Sequence, residues 1–139
     1  MVCLTSGGLD KRITRLKRAR HLVDTGVLSA PCSFVTADLH FLKRKCNGCG
    51  VANAWFDYVP DRFIGTNVRH ACFIHDWEYY LGLTLEDKKK ADDNFKANLR
   101  ILIELDTTNR VLIKVKYTLA CVYYLGVKHF GHKSFLKGK

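Results

Sequence analysis

Two helix-forming segments joined by a very short turn constrain this chain more than any other feature of its sequence. Thr66 to Leu81 carries apolar residues at the three- and four-residue spacing of a helix, and Gly82 follows as a residue that commonly ends helices. Thr84 and Asp87 have the spacing of a capping box, which predicts a second helix running to about Leu105. Because the turn between them is so short, the two helices should pack side by side and antiparallel.

The rest of the chain predicts further helices and no second domain. Asp10 to Val23 has one apolar stripe and cations on its other faces, which indicates an amphipathic helix. A third helix is expected from Arg110 to Leu125, whereas the tail from Gly126 is expected to be loosely ordered, and Thr25 to Arg44 has no clear pattern. With 139 residues, 47% of them hydrophobic, the chain can fill one core. We therefore expect a single all-α, mainly helical domain over residues 1–139.

The charge of the chain favours an anionic partner. Lys and Arg outnumber Asp and Glu by 23 to 13, which gives a formal net charge of +10. Such a surface suits either an anionic phospholipid membrane or nucleic acid, and charge alone does not choose between them. The amphipathic helix from Asp10 and the tail from Lys128 to Lys137, where basic and aromatic residues alternate, are each either a solvated surface or a segment lying on lipid.

No segment has the composition expected of a signal peptide or a membrane span. Charged residues interrupt the first 23 positions, so an apolar leader core is missing. The most apolar later stretch, Val111 to Val127, contains Lys114 and Lys116. We expect a soluble or peripheral protein, and both a secreted and a virion-associated location stay open.

One histidine and two carboxylates form the candidate chemical centre. His75 and Asp76 leave adjacent faces of the first predicted helix, and Tyr79 lies one turn beyond His75. On the second helix Asp92 is at the edge of the apolar stripe, whereas Asp93 groups with the cations of the solvent face. A carboxylate on one imidazole nitrogen fixes the tautomer and leaves the other nitrogen free to take a proton from water. Tyr79 can donate its hydroxyl to Asp92 and hold it.

The other carboxylate, Asp76, predicts a cation site, because a buried charge without a partner is costly. The short glycine-containing loop Cys46-Asn47-Gly48-Cys49-Gly50 can turn its carbonyl oxygens inward. Calcium favours such a mixture of carbonyl and carboxylate oxygen atoms. The alternative for Asp76 is a surface ion pair with Arg69 or Lys88.

Taken together, these segments resemble the phospholipase A2 superfamily. His75-Asp76-Trp77-Glu78-Tyr79 is similar to its H-D-x-x-Y active-site helix. Ala91-Asp92-Asp93-Asn94-Phe95 is similar to the A-D-x-x-F of compact viral members of the parvovirus type, and the loop from Cys46 to Gly50 to their x-x-G-x-G calcium loop. The order Val59-Pro60, His75-Asp76, Ala91-Asp92 is also similar to a V-P…H-D…A-D pattern of phage proteins. The resemblance covers about Cys46 to Leu102.

This resemblance implies a calcium-dependent hydrolase that cleaves the sn-2 ester of membrane phospholipids. His75 would be the general base that activates water, with Asp92 and Tyr79 orienting it. Four groups would bind Ca2+ through oxygen: the Asp76 carboxylate and the carbonyls of Cys46, Gly48 and Gly50. The ion and the Gly48 amide would stabilise the oxyanion, an effect on the order of 3 kcal/mol for each well-aimed donor.

The cysteines leave other interpretations open. Cys46 and Cys49, with His70, Cys72 or His75 about twenty residues later, have a spacing permitted for zinc. The chain would then be a non-catalytic, zinc-stapled structural or nucleic-acid-binding module. A disulfide from Cys72 to Cys46 or Cys49 would instead staple the loop to the helix, much as in secreted phospholipases A2.

The remaining cysteines, Cys3, Cys32 and Cys121, are expected to be buried small apolar residues.

Overall fold

The computed structural model describes residues 10–46, 62–63, 65–137 and 139, and within them the expected all-α class is confirmed. The described residues form seven helices and one hairpin of two short strands. In chain order these elements are α1 Lys11–Asp24, α2 Cys32–Thr36, α3 Leu39–Lys45, β1 Arg62–Phe63, β2 Thr66–Asn67, α4 Arg69–Leu81, α5 Leu85–Asp106, α6 Arg110–Phe130 and α7 His132–Leu136.

The predicted antiparallel helix pair is α4 and α5. The hydroxyl of Thr84 accepts a hydrogen bond from the Asp87 backbone N–H at 3.1 Å, and the Asp87 carboxylate accepts one from the Thr84 N–H at 3.0 Å. The predicted capping box is therefore present, and only three residues lie between the end of α4 and the start of α5. The predicted inner stripe of α5 is buried: Ala91, Phe95, Leu99 and Leu102.

Both faces of this helix pair are covered by other helices. On one side, α6 runs back along α5, and the Tyr124 hydroxyl donates to Asp93 at 2.9 Å. Helices α1 and α3 pack against α4, and α2 packs against α1 and accepts a hydrogen bond from Trp77 of α4 at Ser33. One hydrophobic core runs through α1 to α6.

A buried amide ties the segment after α1 to α5. The side chain of Asn98 is fully buried, its Oδ1 accepts from the Ser29 N–H at 3.0 Å, and its Nδ2 donates to the Ser29 carbonyl at 2.9 Å. This single side chain satisfies both backbone groups of Ser29.

The prediction that the first helix begins at Thr66 was wrong. Thr66 and Asn67 form β2, which pairs antiparallel with β1, and α4 begins at Arg69. Gly65, with φ at +93°, provides the turn between the strands in a conformation that other residues rarely adopt. The Asn67 side chain accepts a hydrogen bond from the Arg69 N–H at 3.0 Å, so the polar residues that looked helical form the approach to the helix instead.

The prediction of a loosely ordered tail from Gly126 was also wrong. Helix α6 continues to Phe130, and α7 follows after Gly131. Phe135 of α7 is 1% exposed and packs edge-on against the Tyr79 ring, with 5.4 Å between centroids. The Lys139 ammonium donates to the Tyr79 carbonyl at 2.6 Å. The tail is thus held against α4 by contacts that its own sequence pattern does not reveal.

Candidate active site

His75, Asp92 and Tyr79 meet between α4 and α5. The Nε2 atom of His75 lies 2.8 Å from Asp92 Oδ1, and the Tyr79 hydroxyl donates to the same oxygen at 2.6 Å. All three residues are buried, with the imidazole packed between the rings of Tyr79 and Phe95. The antiparallel packing and the short turn bring these residues together as the sequence predicted.

The protonation states in this cluster follow from burial and hydrogen bonding. Burial lowers the pKa of His75, against the opposing effect of Asp92, so the imidazole is neutral at pH 7. Burial alone would raise the pKa of Asp92, but the hydrogen bonds to His75, Lys88 and Tyr79 outweigh it and lower that pKa. Burial and the nearby Asp92 charge raise the pKa of Tyr79, which keeps its hydroxyl a donor.

The second imidazole nitrogen is available for chemistry. An ionised Asp92 only accepts hydrogen bonds, so the Nε2 atom of His75 carries the hydrogen and the lone pair is on Nδ1. Within the described part of the chain Nδ1 has no hydrogen-bond partner, and the side chain keeps 8% of its surface exposed. A neutral, oriented imidazole with its lone pair on the second nitrogen can act as a general base.

A residue that the sequence prediction missed completes the surroundings of Asp92. The Lys88 ammonium donates to Asp92 Oδ2 at 2.8 Å and to the carbonyls of Val127 and Lys128 at 3.0 and 3.2 Å. Lys88 therefore pairs with Asp92 and not with Asp76, so one of the two alternative partners named for Asp76 was wrong. Lys88 lies four residues before Asp92, so helical spacing was the one signal that could have revealed it.

A second residue that the sequence prediction missed is Glu78, which lies three residues after His75 on α4. Its carboxylate accepts from Asn94 Nδ2 at 2.7 Å, and burial raises its pKa to about 7. The nearby Asp92 charge acts in the same direction. Glu78 therefore carries a proton over part of the neutral range, which its place in the sequence motif does not indicate.

The predicted calcium ligands are only partly within the described residues. Gly48 and Gly50 lie outside the described residues, and so does the predicted Gly48 amide donor. Cys46 is buried, and the pKa of its thiol is raised first by burial and then by the charge of Asp76. Asp76 is half-buried on α4. The charge of Asp76 is therefore felt at the residue from which the predicted loop begins.

The cysteines correct two predictions. Cys72 is disulfide-bonded, whereas Cys46 is a free thiol, so the proposed Cys72–Cys46 pairing was wrong, and the Cys49 alternative lies outside the described residues. Cys32 and Cys121 are exposed rather than buried, because they lie on outward faces of α2 and α6, and Cys3 is also outside the described part.

The zinc alternative is weakened by the same contacts. A disulfide-bonded Cys72 cannot serve as a thiolate ligand, which removes one of the residues that this alternative could use. Over residues 10–46, 62–63, 65–137 and 139, no three His, Cys, Asp or Glu side chains are grouped to hold a metal ion.

Comparison of the chain with protein-family models, curated proteins and solved structures found no match.

Proposed function

We propose that this chain is a calcium-dependent hydrolase of the phospholipase A2 type, which cleaves the sn-2 ester of membrane phospholipids. The proposal depends on one observation, the buried cluster in which Asp92 accepts from both His75 and Tyr79 across two antiparallel helices. The motif resemblance in the sequence supplies the reaction type, and the geometry supplies a base suited to it.

The described residues would act on a water molecule rather than on the ester directly. The Nδ1 atom of His75 would take a proton from water as the water attacks the ester carbonyl, and Asp92 would stabilise the imidazolium that forms. The Tyr79 hydroxyl would keep the carboxylate from turning away. The same imidazolium would then return the proton to the leaving alcohol.

Calcium fits the donors that would surround it. Asp76 would supply a carboxylate, and its charge acts on Cys46, the first residue of a loop whose carbonyls are the other expected ligands. When bound, the ion would supply electrostatic stabilisation for negative charge on the ester oxygen.

An anionic membrane is the partner that we favour. Helix α6 contains no Asp or Glu, and its outward face exposes Val111, Val115, Val122 and Leu125 by 43 to 73%. Lys114 and Lys128 are exposed on the same helix. Apolar residues flanked by cations are suited to the interface of an anionic bilayer. No helix in the described part of the chain could cross a membrane.

The decisive experiment compares two neighbouring aspartates. Fatty-acid release from anionic phospholipid vesicles should require calcium, stop with chelator, and fall on the order of 10²–10⁴-fold in Asp92→Asn, the usual range for a general-base system. Asp93→Asn is the matched control, since Asp93 is exposed and its carboxylate accepts hydrogen bonds from Lys89 and Tyr124. Fatty-acid release that persists in His75→Ala, or in the presence of chelator, would refute the proposal.

A nucleic-acid-binding module is the second candidate. It is favoured by the exposed cations of α1: Lys11, Arg12, Arg15, Lys17 and Arg18. DNA binding that weakens steeply with salt, combined with the absence of ester hydrolysis, would support this candidate instead.

A further inference from the structure

Lys88 is a buried cation placed directly behind the candidate catalytic pair. Its side chain is 4% exposed, and its ammonium has three acceptors: Asp92 Oδ2 and the carbonyls of Val127 and Lys128. All three ammonium hydrogens are therefore used. The two carboxylate oxygens of Asp92 have different partners, because Oδ1 faces His75 and Tyr79 while Oδ2 faces Lys88.

We propose that Lys88 is a positioning residue that keeps Asp92 an oriented anion and thereby fixes the tautomer of His75. The consequence of this positioning for catalysis rests on the function proposed above, whereas the effect of Lys88 on the His75 imidazole does not. A buried carboxylate is stable as an anion only when its oxygens are satisfied, and Lys88 satisfies the oxygen that the imidazole cannot reach.

The tautomer depends on the charge of Asp92. An anionic carboxylate accepts from Nε2–H and leaves the Nδ1 lone pair free, whereas a protonated carboxyl can donate to Nε2 and put the imidazole hydrogen on Nδ1. In the second arrangement His75 has no basic nitrogen facing outward. The hydrogen bonds that now outweigh burial at Asp92 include the one from Lys88, so removing it favours the protonated form.

A purely structural role predicts a different result. The bonds to Val127 and Lys128 also tie the end of α6 to α5, so losing Lys88 would destabilise the fold whatever the state of the imidazole. The two roles are separated by a measurement made on His75 itself.

The test is nitrogen NMR of His75 in the full chain, for wild type, Lys88→Met and Lys89→Met. Lys89 is the matched control, because it forms the same i,i+4 pair with Asp93 at 3.0 Å on the exposed side of α5. Wild type and Lys89→Met should show a pyridine-type signal at Nδ1, and folded Lys88→Met should lose it. A folded Lys88→Met that keeps the pyridine-type signal at Nδ1 would overturn the proposal.

Further variants keep the test decisive. If Lys88→Met does not fold, Lys88→Gln replaces it, since its amide can still donate but carries no charge, and the same loss of the Nδ1 signal is expected. Lys88→Arg should keep that signal, because it retains the charge.

Activity provides an independent readout. On phospholipid vesicles Lys88→Met should lower kcat on the order of 10²-fold or more with little change in KM, and Lys88→Arg should restore part of it. If the wild type hydrolyses no phospholipid but the variants show the expected NMR changes, only the proposed function is refuted. If Lys88→Met changes KM alone and leaves kcat unchanged, the positioning role is refuted.

Discussion

Helix α5 carries two consecutive Lys–Asp pairs with the same i,i+4 spacing, and their burial predicts very different contributions to stability. The side chains of Lys88 and Asp92 are 4% and 3% exposed, whereas those of Lys89 and Asp93 are 65% and 47% exposed. The pairs have similar N–O distances, 2.8 and 3.0 Å, so solvent access is the main difference between them. Lys88→Met and Lys89→Met therefore test what burial does to an ion pair in this fold.

The expected costs differ about tenfold. Lys88→Met leaves a buried carboxylate oxygen without its cation, which costs about 3–5 kcal/mol of unfolding free energy. Lys89→Met removes a solvated pair worth about 0.3–0.5 kcal/mol. For a domain of 139 residues, the first loss corresponds to a fall in Tm of roughly 10–20 °C and the second to about 2 °C or less.

Urea denaturation followed by circular dichroism measures both losses, with Asp92→Asn and the double variant Lys88→Met/Asp92→Asn completing a thermodynamic cycle. The double variant should cost less than the sum of the single variants, because no unpaired charge is left buried. A loss below about 1 kcal/mol for Lys88→Met would contradict the reasoning, since it would mean that Asp92 readily finds another partner or water.

Three more substitutions test other parts of the structure. Gly131→Ala would place a Cβ 2.5 Å from the Tyr79 hydroxyl, and it should cost about 1–3 kcal/mol in urea denaturation. Burial raises the pKa of Glu78 from 4.5 to about 7, so the contribution of this carboxyl group to stability should fall as pH rises through that interval and then level off. Glu78→Gln removes that contribution, so its stability relative to wild type should rise between pH 4.5 and 7 in urea midpoints taken at several pH values; a difference that does not change with pH would refute the assignment. Asn98→Ala removes the acceptor of the Ser29 N–H, whereas the Ser29 carbonyl keeps its hydrogen bond from Asn94, and the variant should cost about 1–3 kcal/mol; no measurable loss would show that water replaces the amide.

The helix pair and its polar cluster were predictable because their signals are local. Apolar spacing, the Thr84–Asp87 capping box and the short turn fixed the relative orientation of α4 and α5, and Asp92 then had to face His75. Each of these signals lies within a few residues of the structure it determines.

The parts that sequence reasoning missed depend on distant partners. Lys88 looked like a surface residue because lysine is seldom buried, and its carbonyl acceptors lie 39 and 40 residues later. The tail is ordered by packing of Phe135 on Tyr79, which no periodicity in the tail predicts. Helix α2 has only five residues, too few to show a helical repeat.

The α4–α5 hairpin also has a consequence for the order in which the chain folds. His75 and Asp92 are 17 residues apart, so their contact closes only a short loop of chain, and such closures cost little entropy and form early. The acceptors of Lys88 on α6 close a loop more than twice as long. The imidazole and the carboxylate would therefore meet first, and the ammonium would reach its carbonyl acceptors only when α6 docks.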